Sequence, residues 1–79
     1  PQVIENLRVQ EKIPLENLPD LQKAIRGVEA ELAGSGRLLI RYSGTESKLR
    51  ILIEAESEAH AHQLMQIIVT EACNSLPIL

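Results

Sequence analysis

Two segments of the chain place apolar residues at identical offsets. Leu21, Ala24, Ile25, Val28 and Leu32 fall at i, i+3, i+4, i+7 and i+11, and Ala61, Leu64, Met65, Ile68 and Ala72 repeat that spacing. On a 3.6-residue period each set forms one stripe along one side of a helix. Polar residues dominate the other sides, so each helix must press its stripe onto a shared apolar surface. A chain of 79 residues buries only about 60% of its surface on folding, which allows one core and not two. The first helix is predicted to open with Pro19 and Asp20 in its first turn and to stop at Gly34 and Gly36. The second takes Ser57 as N-cap with Glu58 beside it, and ends near Asn74, before Pro77.

The segments between the helices read as strands. Val3, Leu7 and Val9 alternate with Ile4, Asn6 and Arg8, interrupted by Glu5, which predicts a half-buried strand. Arg37 to Tyr42 and Leu49 to Ala55 flank the small-residue loop Ser43-Gly44-Thr45-Glu46-Ser47 and read as a hairpin. Gln10 to Asn17 is ambiguous, with room for a short edge strand before the first helix. Strands joined by a short loop pair antiparallel, and helices with one apolar stripe lie on one face of that sheet. The expected architecture is α+β: a two-layer sandwich with an antiparallel sheet of three to four strands and two helices on one face. Leu21, Ile25, Ile40, Val28, Ile51, Ile53, Leu64, Met65 and Ile68 are its predicted core.

Composition excludes several classes. With 44% hydrophobic residues and only four Gly and four Pro, the chain is neither disordered nor collagen-like. No stretch approaches the roughly 18 apolar residues of a membrane span, so no membrane partner is expected. The single cysteine, Cys73, cannot form an internal disulfide or a multi-cysteine zinc site, which points to a reducing, cytoplasmic setting. A net charge of −3 and one aromatic residue, Tyr42, argue against a nucleic-acid partner recognised by stacking and a basic surface. The chain begins at Pro1 without a methionine and is strand-like by Val3, as expected of a piece of a longer protein.

Charge is unevenly spread. Between Arg37 and Arg50, the cations Arg37, Arg41, Lys48 and Arg50 stand against Glu46 alone, in a chain that is acidic as a whole. An acidic domain with one cationic hairpin has one place for an anion. The apolar parity of the strands sharpens this. Facing Leu38, Ile40 and Tyr42 to the same core as Leu49, Ile51, Ile53 and Ala55 pairs Tyr42 with Leu49 and Ile40 with Ile51. Arg41 then lies opposite Arg50 on the other face, because a one-residue slip would turn charge into the core. Like charges directly opposite are destabilising unless something offsets them. A phosphate or carboxylate would do so, since guanidinium forks match its oxygens. The competing reading has both arginines solvated and paired with Glu46 and Glu54. Between the strands, Ser43 and Thr45 supply hydroxyls, and Gly44 is expected to use its permitted positive φ to turn several N–H groups toward one point. Such a tripeptide fills many ordinary turns, and its weight comes from the arginine two residues before it.

These residues also carry a resemblance. The segment GRLLIRYSGTESKLRILIEAE, residues 36 to 56, closely resembles the signature of the last domain of the α-D-phosphohexomutases. The family pattern is Arg-x-Ser-Gly-Thr-Glu, usually followed by Pro, then an arginine opening a strand that ends in Glu. Arg41, Ser43, Gly44, Thr45, Glu46, Arg50 and Glu54 match it, and Ser47 stands where the proline is usual. The opening PQVIENLRV is similar to the entry strand of this domain in the glucosamine branch of the family. The resemblance implies a TATA-binding-protein-like fold and a place as the fourth domain of a four-domain isomerase of sugar phosphates. In such enzymes a phosphoserine lies in the first domain and a magnesium ion in the second, and a bisphosphorylated sugar forms and turns over. The implied partners are a hexosamine phosphate and the other three domains, with magnesium held by another domain and no cofactor in residues 1–79. The fourth domain's loop holds the phosphate that is not being transferred, which assigns phosphate binding to Arg41, Ser43, Gly44 and Thr45. Arg50 joins them on both its match and the register argument. No catalytic residue and no metal ligand is implied within the chain.

Other residues carry less. His60 and His62 are two apart on a helix and share no face, so they do not form a metal pair. Cys73 reads as a small buried or boundary residue with no base in its sequence context. Tyr42 reads as core, with a hydroxyl able to reach the loop. Two further function classes stay open on the residues alone: a non-catalytic module that binds a small anion, and an interaction domain whose hairpin pairs with a partner.

Overall fold

The computed structural model describes residues 1–79 and contains three strands and two helices. They run β1 (Gln2–Arg8), α1 (Pro19–Leu32), β2 (Arg37–Tyr42), β3 (Lys48–Glu54) and α2 (Glu58–Ser75), with one 3-10 turn at Leu15–Asn17 before α1. The helices obey the signals written at their ends. Pro19 sits in the first turn of α1, and the chain leaves that helix through Ala33 at φ 26° and Gly34 at φ 86°. Glycine tolerates this left-handed exit without a Cβ clash. The Ser57 hydroxyl accepts the amide of His60 at 3.1 Å and caps α2.

The sheet has the order β1-β3-β2 and both pairings are antiparallel. The central strand is therefore the second arm of the hairpin, and β1 returns to its far side. Hairpin register is as the apolar parity requires, with Ile40 opposite Ile51, Arg41 opposite Arg50 and Tyr42 opposite Leu49. Gly36 secures the start of this hairpin. A Cβ there would run into the carbonyl oxygen of Glu54, a backbone atom that cannot swing aside.

Both helices cover one face. Leu21, Ile25, Val28 and Leu32 of α1 and Ala61, Leu64, Met65, Ile68 and Ala72 of α2 are buried in one cluster with Leu38, Leu49, Ile51 and Ile53 of the sheet. No polar or charged residue is buried. Of the predicted core residues, Ile40 is the exception in degree, being half-buried because β2 is an edge strand. The ambiguous segment Gln10 to Asn17 adds no strand. Pro14 cannot donate to a ladder, and the chain instead makes an isolated bridge between Val9 and Ile78 before turning into α1.

The opposite face carries no helix and reads as cross-strand rows. Gln2, Glu54 and Arg37 form one row and Ile4, Leu52 and Leu39 the next. Asn6, Arg50 and Arg41 follow, and then Arg8 with Lys48. Period-two alternation on a three-stranded sheet thus delivers an apolar inner layer and a ruled outer one from the same three strands.

Candidate functional site

The hairpin tip rests on two attachments to the segment before α1. Tyr42 donates its hydroxyl to the carbonyl of Ile13 at 2.6 Å, and Lys12 Nζ donates to the carbonyl of Ser43 at 2.6 Å. Burial first, and then the Glu11 carboxylate, push the Tyr42 phenol above its ordinary 10.0. The hydroxyl therefore stays protonated and donating. Tyr42 is half-buried against the core, so its ring packs while its oxygen reaches the Ile13 carbonyl in the segment before α1.

The tip itself is organised by Ser43. Its amide bonds the carbonyl of Lys48 at 2.9 Å and closes the hairpin, while its hydroxyl accepts the amides of Thr45 at 3.3 Å and Glu46 at 3.2 Å. Those two amides are drawn in toward Ser43. The Ser43 hydroxyl keeps its own proton to donate. Gly44 departs from the expectation of a positive φ; Gly34 is the glycine that has one. Gly44 meets open space instead, so the loop leaves room above it.

An open cavity of about 520 Å³ lies over this tip on the helix-free face, lined by Asn6, Arg41, Tyr42, Ser43, Gly44, Glu46, Lys48 and Arg50. Of the residues singled out in the sequence, Arg41, Ser43, Gly44 and Arg50 line it together. Thr45 is exposed on the loop and is not part of the lining. Asn6, on β1, was missed as a site residue. Its Oδ1 accepts the Nε of Arg50 at 3.3 Å.

Electrostatics separate the four hairpin cations. Arg37 belongs to the other end of β2, about 13 Å along the strand from Arg41, and is bonded there to Glu54. It does not line the cavity, which corrects the reading of the hairpin as one cationic unit. Lys48 pairs with Glu46 at 3.1 Å. The two carboxylates that could have neutralised Arg41 and Arg50 are thus bonded elsewhere. Neither arginine has a salt bridge, and both are exposed. Folding also adds cations from outside the hairpin, with Arg8 in register with Lys48 and Lys12 bonded to the loop.

No group of three or more His, Cys, Asp or Glu gathers where it could hold a metal ion. His60 lies 3.6 Å from Glu31 of α1 and His62 lies 3.8 Å from Glu58, each at a helix surface rather than in the cavity. Cys73 is exposed, so the expectation of a small buried or boundary residue gives way to a surface position. No helix is long and apolar enough to cross a membrane.

Compared with known proteins, residues 5–71 match the family described as phosphoglucomutase/phosphomannomutase, C-terminal domain. A phosphoglucosamine mutase of Koribacter versatilis is 52% identical over 63 residues, which are 80% of this chain and 14% of the relative. One of Desulfovibrio desulfuricans is 41% identical over 75 residues, 90% of this chain and 17% of the relative. One of Hydrogenovibrio crunogenus is 38% identical over 77 residues, 92% of this chain and 17% of the relative. The chain thus spans only 14–17% of the length of these relatives. The arginine-flanked loop, both strands of its hairpin, all of α1 and most of β1 and α2 lie inside the matched residues, and the chain belongs to the phosphoglucomutase/phosphomannomutase C-terminal domain family.

Proposed function

We propose that this chain is the fourth, substrate-phosphate-holding domain of a phosphoglucosamine mutase. The parent enzyme, in this reading, interconverts glucosamine 6-phosphate and glucosamine 1-phosphate through a phosphoserine and a bisphosphorylated sugar, in the cytoplasm. Arg41 and Arg50 take the phosphate that is not being transferred, with Ser43, Gly44 and Thr45 completing the loop around it. The observation that carries the proposal is the direct opposition of Arg41 and Arg50 on the bare face, with no carboxylate on either.

The physics of such a site is local. A dianion between two guanidinium groups offsets their repulsion and satisfies their planar donors in bidentate fashion. Binding must also release the Thr45 and Glu46 amides from the Ser43 hydroxyl, after which both can donate to phosphate oxygens. On an exposed face water screens these contacts, so the isolated chain is expected to bind phosphate only at about millimolar level. Closure against the rest of the parent enzyme would exclude water and strengthen the same contacts. The chemistry itself lies elsewhere. Residues 1–79 gather no carboxylate cluster for magnesium, and the isolated chain is expected to show no isomerase activity.

The test is steady-state kinetics of the full-length enzyme carrying Arg41→Ala. Loss of a charge-assisted contact should lower kcat/KM roughly ten- to hundredfold, with phosphorylation of the serine less affected. Arg41→Lys should restore part of the loss, because a point charge lacks the fork. Wild-type kcat/KM in Arg41→Ala would remove this loop from substrate binding. Preference for glucosamine over mannose or glucose phosphates rests on the similarity to named phosphoglucosamine mutases and is checked by the same assay with each sugar phosphate.

A further inference from the structure

We infer that Asn6 is a positioning residue that aims the Arg50 guanidinium at the bound anion. The inference rests on the proposed phosphate site and adds to it a residue from a different strand. Three observations carry it. Asn6 and Arg41 flank Arg50 in one cross-strand row, one on each side of the central strand. Asn6 Oδ1 accepts Arg50 Nε at 3.3 Å, the one hydrogen bond either arginine makes with a side chain. All three residues line the same cavity.

The geometry divides Arg50 into two parts. Its Nε is occupied by the amide oxygen, which leaves the two Nη groups with four N–H donors for an anion. Without that bond the long side chain is free to rotate, and its ordering has to take place when the anion binds. The choice of a neutral amide matters. An aspartate at position 6 would hold Nε more tightly but would neutralise the charge that the anion needs, and it would add repulsion of its own. Asparagine holds without neutralising. Position 6 therefore distinguishes aiming from charge, which no substitution of an arginine can do.

The test is NMR titration of inorganic phosphate into the 79-residue chain, following the Arg50 Nε–Hε resonance and the amides of Thr45 and Glu46. In Asn6→Ala, free rotation of Arg50 should speed Hε exchange before any ligand is added. Phosphate should then bind roughly two- to tenfold more weakly, the effect of one side chain no longer ordered in advance. In Asn6→Asp, slow Hε exchange should persist while phosphate affinity still falls. A merely structural role would produce neither pattern, since thermal stability should be unchanged in both variants at this exposed position. Arg41→Ala is run beside them to keep two failures apart. If Asn6→Ala matches wild type in Hε exchange and affinity while Arg41→Ala loses binding, the inference about Asn6 is wrong and the phosphate site stands. If phosphate moves none of these resonances in wild type at tens of millimolar, or binds Arg41→Ala as well as wild type, the site itself falls and Asn6 with it.

Discussion

The two faces of the sheet are built from the same three strands and obey opposite rules. On the inner face Leu49, Ile51 and Ile53 of β3 are fully buried beneath the helices, and no polar or charged residue is buried with them. On the outer face Lys48, Arg50, Leu52 and Glu54 alternate with them, and no element covers them. The inner face gains free energy by excluding water and needs no particular partner. The outer face leaves Arg41 and Arg50 opposed with no carboxylate, an arrangement that gains nothing for folding. Stability lives on one parity of the strands and binding on the other. A residue can therefore be changed for one purpose with little effect on the other.

That division can be broken most sharply at adjacent residues of β3. Ile51→Ala removes a side chain with no exposure at the centre of the inner face and should cost about 2–5 kcal/mol in chemical or thermal denaturation. Unchanged stability would mean that the inner layer is not packed. Arg50, its neighbour on the other parity, carries no such cost.

Tyr42 stands between the two faces, because its ring joins the core while its hydroxyl bonds Ile13 beside the loop. Tyr42→Phe keeps the ring and removes the bond, for an expected loss of about 0.5–1.5 kcal/mol. Its pH dependence is a second readout. The folded-state pKa is raised, so the unfolded chain loses the phenolic proton first. The contribution of this group is complete below pH 10.0 and declines as pH rises through the higher folded value. Urea midpoints measured from pH 9 upward should show that decline in the wild type and not in Tyr42→Phe. Equal slopes in the two proteins would show that the hydroxyl is free.

The smallest effect is expected at Arg41. Arg41→Ala should leave the thermal midpoint unchanged or slightly raised at low salt, since it removes one of two opposed charges. Any rise should vanish in high salt, where exposed charges are screened. A clear drop would mean that Arg41 serves the fold, and the separation of faces would not hold at the residue proposed to bind phosphate.

Much of this was legible before the structure. The repeated five-residue stripe required two helices on one surface, because a helix with one apolar side has one way to bury it. The register of β2 on β3 followed from parity, since the short loop leaves few alternatives and a slip would expose the core. That reasoning put Arg41 opposite Arg50 from the residues alone. The loop was read less well. Gly44 uses no positive φ, and the Thr45 and Glu46 amides turn to the Ser43 hydroxyl, a local competition that residue types do not reveal.

What only the tertiary structure decided is which distant residues surround the hairpin tip. β1 is separated from β3 by a helix and a strand, and nothing local says which edge of the hairpin it joins or in what register. Its addition to the free side of β3 places Asn6 beside Arg50 and Arg8 beside Lys48, and the turn that follows lays Lys12 on Ser43. The same folding assigns Glu54 to Arg37 and Glu46 to Lys48, so that Arg41 and Arg50 are left without a counterion. Periodicity determines which face of an element is apolar, because burial acts on each residue by its own chemistry. The company a charged side chain keeps depends on strand order and on closure of a long loop, and those are properties of the whole chain.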